Sequence, residues 1–89
     1  MIFISLGKFR KKPTKDMTDE VTKMTADMAA KEGIKVLSFY WTLGKYDTVF
    51  TFEAPNEKAA MKMNIMASEF VSTQTMVAIP REEAIKLVS

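Results

Sequence analysis

Apolar and polar positions along the chain change period several times, and each change predicts an element. Residues 2–6, Ile-Phe-Ile-Ser-Leu, are β-branched and aromatic, with Ile2, Ile4 and Leu6 on one side and Phe3 and Ser5 on the other. Apolar groups on both sides predict a strand in the middle of a sheet. Gly7 to Pro13 predicts a loop, closed by a proline suited to a helix start. From Thr14 to Glu32 the residues Met17, Val21, Met24 and Met28 fall at spacings of four, three and four, one stripe of an amphipathic helix. Asp16, Asp19 and Glu20 lie near its positive end, and Gly33 supplies a left-handed stop that lets Ile34 fold back onto Ala29.

Ile34 to Leu43 and Tyr46 to Ala54 predict two strands joined through Gly44-Lys45. A glycine at the first central position suits a two-residue type II′ turn, with a four-residue loop as the alternative. The tight turn sets Leu43 opposite Tyr46, Trp41 opposite Thr48, Phe39 opposite Phe50 and Leu37 opposite Phe52, an aromatic face. The alternate positions pair Thr42 with Asp47, Tyr40 with Val49, Ser38 with Thr51 and Val36 with Glu53, and are half polar. A one-residue slip would scramble both sets, so their separation supports the register.

Asn56 then predicts an N-cap, followed by a helix with the stripe Ala59, Ala60, Met63, Met66 and Ala67; Met61 and Ile65 make its other side apolar too. Phe70 to Ile79 predicts a fourth strand whose hydroxyl-rich middle suits an edge. After Pro80, Arg81 to Val88 predicts two helical turns, too short to be stable without docking. The result is one α+β domain over residues 1–89, in ferredoxin-like β-α-β-β-α-β order with an antiparallel sheet and a short C-terminal helix. Two helices cover the aromatic face. The other face, with Val36, Tyr40, Val49 and Phe3, is left too apolar for water, and back-to-back pairing with a second copy would cover it.

Composition narrows the chemistry. A chain of 89 residues buries only roughly 60% or a little more of the surface its unfolded form exposes, so self-association would help it. There is no cysteine and no histidine, which removes thiolate nucleophiles, disulfides, iron–sulfur and thiolate zinc sites, histidine-ligated haem and the commonest general base. No cofactor or metal is expected. The net charge of +2 gives no case for nucleic acid or anionic lipid, and the cluster Lys8, Arg10, Lys11 and Lys12 is expected to be a solvated loop rather than an anion-binding lip. No apolar run is long enough to span a membrane, and the amino terminus lacks the order of a secretory signal, so a cytoplasmic protein is expected.

At the hairpin, Gly44-Lys45-Tyr46-Asp47 resembles the Gly-x-Tyr-Asp signature of the GYD-domain family. The similarity extends to Phe39-Tyr40-Trp41-Thr42-Leu43, Glu53-Ala54-Pro55 and Lys12-Pro13, and so takes in nearly the whole chain. It implies a homodimeric α/β barrel of ferredoxin-like subunits, in a family whose members mostly have no assigned activity. Where family members often carry an Asn-Val-Arg-Thr run entering the last strand, this chain has Phe70-Val71-Ser72-Thr73, so no role of that arginine carries over.

Ser38, Tyr40, Thr51 and Glu53 are the ligand-binding candidates, because they share the face that dimer formation would enclose. Glu53 would act as base and Tyr40 as acid or oxyanion donor in the alternative reading, a cofactor-independent oxygenase or isomerase acting on an aromatic or partly apolar compound. Against it, Glu53 lies at a strand end and Tyr40 can simply pack. Asp47 reads as a turn-capping carboxylate serving amides near Gly44. The eight methionines, at helical spacing and without cysteine or histidine, read as core rather than soft-metal ligands. Phe50 and Phe52 lack the glycine-aromatic context of an RNA-recognition motif. The sequence thus predicts a small-molecule-binding or assembly module, homodimeric or larger.

Overall fold

A computed structural model describes residues 1–88. The elements follow in the order β1 (Ile2–Phe9), α1 (Lys15–Glu32), β2 (Lys35–Trp41), β3 (Thr48–Glu53), α2 (Glu57–Ala67), β4 (Val71–Ala78) and α3 (Arg81–Ile85). All strand pairs are antiparallel, in the spatial order β2-β3-β1-β4. The expected central β1 and edge β4 are therefore observed. Both long helices begin as predicted. Thr14 Oγ1 accepts from the Met17 amide and Asn56 Oδ1 from the Ala59 amide, while Gly33 closes α1 in the left-handed conformation.

Strand period sorts the sheet into two faces. On one lie the register rows Val36–Phe52–Phe3–Val77, Phe39–Phe50–Ser5–Thr75 and Trp41–Thr48–Gly7–Thr73. Phe3, Phe50 and Phe52 from this face form the core with Met28, Ile34, Ala54, Ala59, Ala60 and Met63. Phe52 has no solvent exposure and stacks on both Phe3 and Phe50, at centroid distances of 5.4 and 4.9 Å. Ala59 and Ala60 let α2 approach these rings closely. A 2.7 Å ion pair between Lys62 and Glu32 ties the end of α1 to α2.

Several expectations are corrected. Phe3 belongs to the helix-covered face, because β1 alternates from Ile2, and it does not contribute to the open one. Leu37 is skipped by the pairing between Val36 and Ser38, a β-bulge that moves Val36 from Glu53 to Phe52 and sets Lys35 opposite Glu53. The predicted pairs from Ser38 to Trp41 hold. The hairpin does not close on a two-residue turn: β2 ends at Trp41, β3 begins at Thr48, and Thr42 N–H donates to the Asp47 carbonyl at 2.7 Å across an intervening four-residue loop. Leu43 is accordingly fully exposed instead of facing Tyr46 on the aromatic side. Met66, predicted on the buried stripe of α2, is half exposed. No residue of α3 is buried and only Ala84 is partly covered, so α3 is not packed into the core formed by the described residues.

β1 also runs past Leu6 through Gly7 to Phe9, where the sequence predicts a loop. Gly7 stands opposite Thr48, and a Cβ there would collide with Thr48 Oγ1. Glycine here serves close packing in a strand, not a turn. Gly7→Ala should therefore cost about 1–3 kcal/mol, read as a lowered urea midpoint. An unchanged midpoint would show that Thr48 turns aside freely.

Candidate functional site

The uncovered sheet face carries the rows Tyr40–Val49–Leu6–Gln74, Ser38–Thr51–Ile4–Met76 and Lys35–Glu53–Ile2–Ala78. All four sequence-chosen residues, Ser38, Tyr40, Thr51 and Glu53, are on it, gathered at the β2–β3 side. Ile2, Ile4, Leu6 and Val49 make its centre apolar. Neither α1 nor α2 touches this face, since both pack on the Phe3–Phe50–Phe52 side. Tyr40 is 63% exposed and Glu53 is exposed as well.

Spacing separates these two residues. Tyr40 stands opposite Val49, four positions along β3 from Glu53, which is ~13 Å at the usual rise of a strand. A catalytic acid and base must both reach the reacting group within hydrogen-bond distance. Tyr40 and Glu53 of one copy are thus not neighbours in the register, and no hydrogen bond joins their side chains among the described residues. Ser38 and Thr51, directly opposite each other between them, form the natural polar patch of this face.

The loop after β2 is fastened across the sheet rather than around itself. Asp47 N–H donates to the Gly7 carbonyl at 2.7 Å, and Asp47 Oδ2 accepts from the Phe9 amide at 2.9 Å. This carboxylate thus caps the end of β1, not the amides near Gly44. The hydroxyl of Tyr46 donates to Gln74 Oε1 at 2.8 Å, which brings its ring over to the β4 side of the open face. Thr42 Oγ1 donates to the Tyr46 carbonyl at 2.8 Å, and Gly44, at φ 117°, provides the bend. Together Gly44, Tyr46 and Asp47 hold the hairpin tip to β1 and β4, which is a positional role.

On the helix-covered face lies a cavity of about 210 Å³ that the sequence did not announce. Its floor is made of small side chains, Ser5, Thr48 and Thr73, with Gly7 between the last two in the register. Its roof is the first half of α1, where Met17, Val21 and Met24 are only half-buried, in contrast to buried Met28. Phe9 and Trp41, in edge-to-face contact at 5.0 Å, form the side wall. The stripe on α1 is real, but its first three members line a void. Periodicity reports which side of a helix faces inward and carries no information on how far away the opposing surface lies.

Among the described residues, no group of three or more His, Cys, Asp and Glu side chains could hold a metal ion, and no helix is long and apolar enough to cross a membrane. Of the methionines, Met28 and Met63 are core, whereas Met61, Met66 and Met76 are exposed. A family model described as the GYD domain matches residues 3–88. No curated protein matches the chain.

Asp47→Ala removes the acceptor of the Phe9 amide at a part-buried position. The expected cost is about 1–3 kcal/mol, with faster hydrogen exchange at the Phe9 amide while Phe3, at the centre of the sheet, stays protected. Equal acceleration at both amides would mean that Asp47 acts on global stability and not on this strand end.

Proposed function

The chain belongs to the GYD-domain family, and from that premise we propose that it works as a homodimeric α/β barrel, a small-molecule-binding or assembly module whose two sheets pack through their open faces. One observation carries the reading: the rows around Ile2, Ile4, Leu6 and Val49 present an apolar surface that neither long helix covers. Four strands ~4.8 Å apart and three rows ~6.6 Å apart give the whole face on the order of 400 Å², about half of it the apolar centre and the rest the flanking polar residues Ser38, Thr51, Lys35, Glu53 and Gln74. A two-fold axis brings the same surface of a second copy against it, which suits a face whose apolar centre is flanked by polar groups.

In such a dimer Ser38, Tyr40, Thr51 and Glu53 lie along the β2–β3 margin of the seam. There they meet either the partner's polar groups or a small, partly apolar ligand held between the sheets. The C-terminal segment supports the same arrangement, because Ile85, Leu87 and Val88 are exposed and gain cover only from outside this chain.

Light scattering coupled to size exclusion should give twice the chain mass at micromolar concentration. Leu6→Glu, which places a carboxylate in the middle row, should give a folded monomer, as an unpaired charge is not tolerated in a closed seam. A wild-type monomer, or a Leu6→Glu dimer of unchanged stability, would remove the basis of the proposal.

A further inference from the structure

We propose that the cavity beneath the first half of α1 is a binding site for a small, uncharged, ring-containing compound that carries one hydrogen-bond-accepting oxygen, such as an aryl ketone. The site lies on the sheet face opposite the open one and is complete within one copy, so it goes beyond the assembly reading and does not depend on it.

Size and wall chemistry define the ligand class. An apolar cavity of about 150 Å³ takes up benzene, so about 210 Å³ admits a ring with a short substituent. None of the described residues that line it is charged. A carboxylate, phosphate or ammonium would have to shed its water with no opposite charge to meet, a cost that excludes ionic ligands. Three of the roof residues are threonines, yet their hydroxyls are already committed. Thr18, Thr22 and Thr25 donate to the carbonyls of Thr14, Thr18 and Val21 at 2.8–2.9 Å. The roof is therefore less polar than its residue names suggest.

At the inner end, the Thr75 hydroxyl lies 2.9 Å from Asn64 Oδ1 and 3.0 Å from Ser5 Oγ. Its single proton can serve only one contact, so Thr75 donates to Asn64 and accepts from Ser5. In this arrangement the Asn64 carbonyl is turned to β4 and its amide group away from it. Among the described residues its amide nitrogen has no hydrogen-bond acceptor, and Asn64 lines the cavity. The chamber is uncharged, its floor adds the hydroxyls of Ser5, Thr48 and Thr73, and an amide N–H donor at one end favours a ligand with a neutral acceptor oxygen. The exposed rims of Trp41 and Phe39, with exposed Thr22 across from them, mark the mouth between β2 and α1.

Trp41 is the only tryptophan in the chain and sits in the wall, so its indole N–H resonance reports occupancy directly. The full chain is titrated, following two-dimensional amide spectra at neutral pH, with acetophenone, with cumene as its hydrocarbon counterpart, and with benzoate. Both neutral compounds should move the Trp41 resonance and the amides around the cavity, and benzoate should not. Asn64→Leu should weaken acetophenone about 3- to 10-fold and leave cumene unchanged. Val21→Phe, filling the chamber from the roof, should abolish both; Thr22→Phe at the rim replaces it if the spectrum of Val21→Phe shows loss of the fold. Leu6→Glu, on the other sheet face, should bind as the parent does. The proposal is overturned if neither neutral compound perturbs Trp41 up to its solubility limit, if benzoate binds equally, or if the filled variant binds like the parent. Loss of binding in a folded Leu6→Glu monomer would overturn the claim that one copy suffices, and failure to dimerise leaves the cavity result standing.

Discussion

The burial of Phe52 is the constraint from which the rest of the architecture follows. Its ring has no access to solvent and lies between Phe3 and Phe50, with α2 brought down on the group by Ala59, Ala60 and Met63. Removing one such ring from water is worth about 1.5–3 kcal/mol, and here three adjacent rings share the gain. Because this cluster sits toward one end of the sheet, it anchors α2 and only the second half of α1, through Met28 and the Glu32–Lys62 pair. The first half of α1 extends over Ser5, Gly7, Thr48 and Thr73, which are too small to reach it. A tight core at one end and a chamber at the other are thus one arrangement.

Much of this is legible along the chain. Strand alternation identifies Phe39, Phe50 and Phe52 as one face and Ser38, Tyr40, Thr51 and Glu53 as the other, and the local signals at Pro13, Gly33 and Asn56 mark the helix ends. These features rest on short-range rules, the period of a strand and the unsatisfied amides at a helix start. What escapes such rules is long-range or subtractive. The bulge at Leu37 inserts one residue without any glycine or proline to mark it. Gly7 has the look of punctuation because its reason for being glycine, the hydroxyl of Thr48, arrives from 41 positions away. The cavity is an absence of side-chain volume, and composition patterns record only what is present.

The two faces also divide labour in a way that the signature residues make plain. Tyr46 and Asp47 bridge from the hairpin to β4 and β1, so the second half of the motif ties the loop to the sheet's end while Leu43, Gly44 and Lys45 stay exposed. Motif residues of this kind preserve where strands end relative to one another. The chemistry of binding is then left to positions elsewhere: none of Gly44, Lys45, Tyr46 and Asp47 lines the chamber under α1 or lies on the Tyr40–Thr51 side.

The bulge has a further consequence, for solubility. β2 is an edge strand in which Val36, Leu37, Phe39, Tyr40 and Trp41 are all substantially exposed, the composition that invites another strand to add to it. Repeated addition at an edge does not close and leads to filaments. A strand that carries an uncompensated extra residue cannot offer a continuous, regular ladder to an incoming copy, and Lys35 places a charge at its start. The irregularity at Leu37 therefore works against edge-to-edge polymerisation through β2, which helps so apolar a strand to remain on the outside of a small domain.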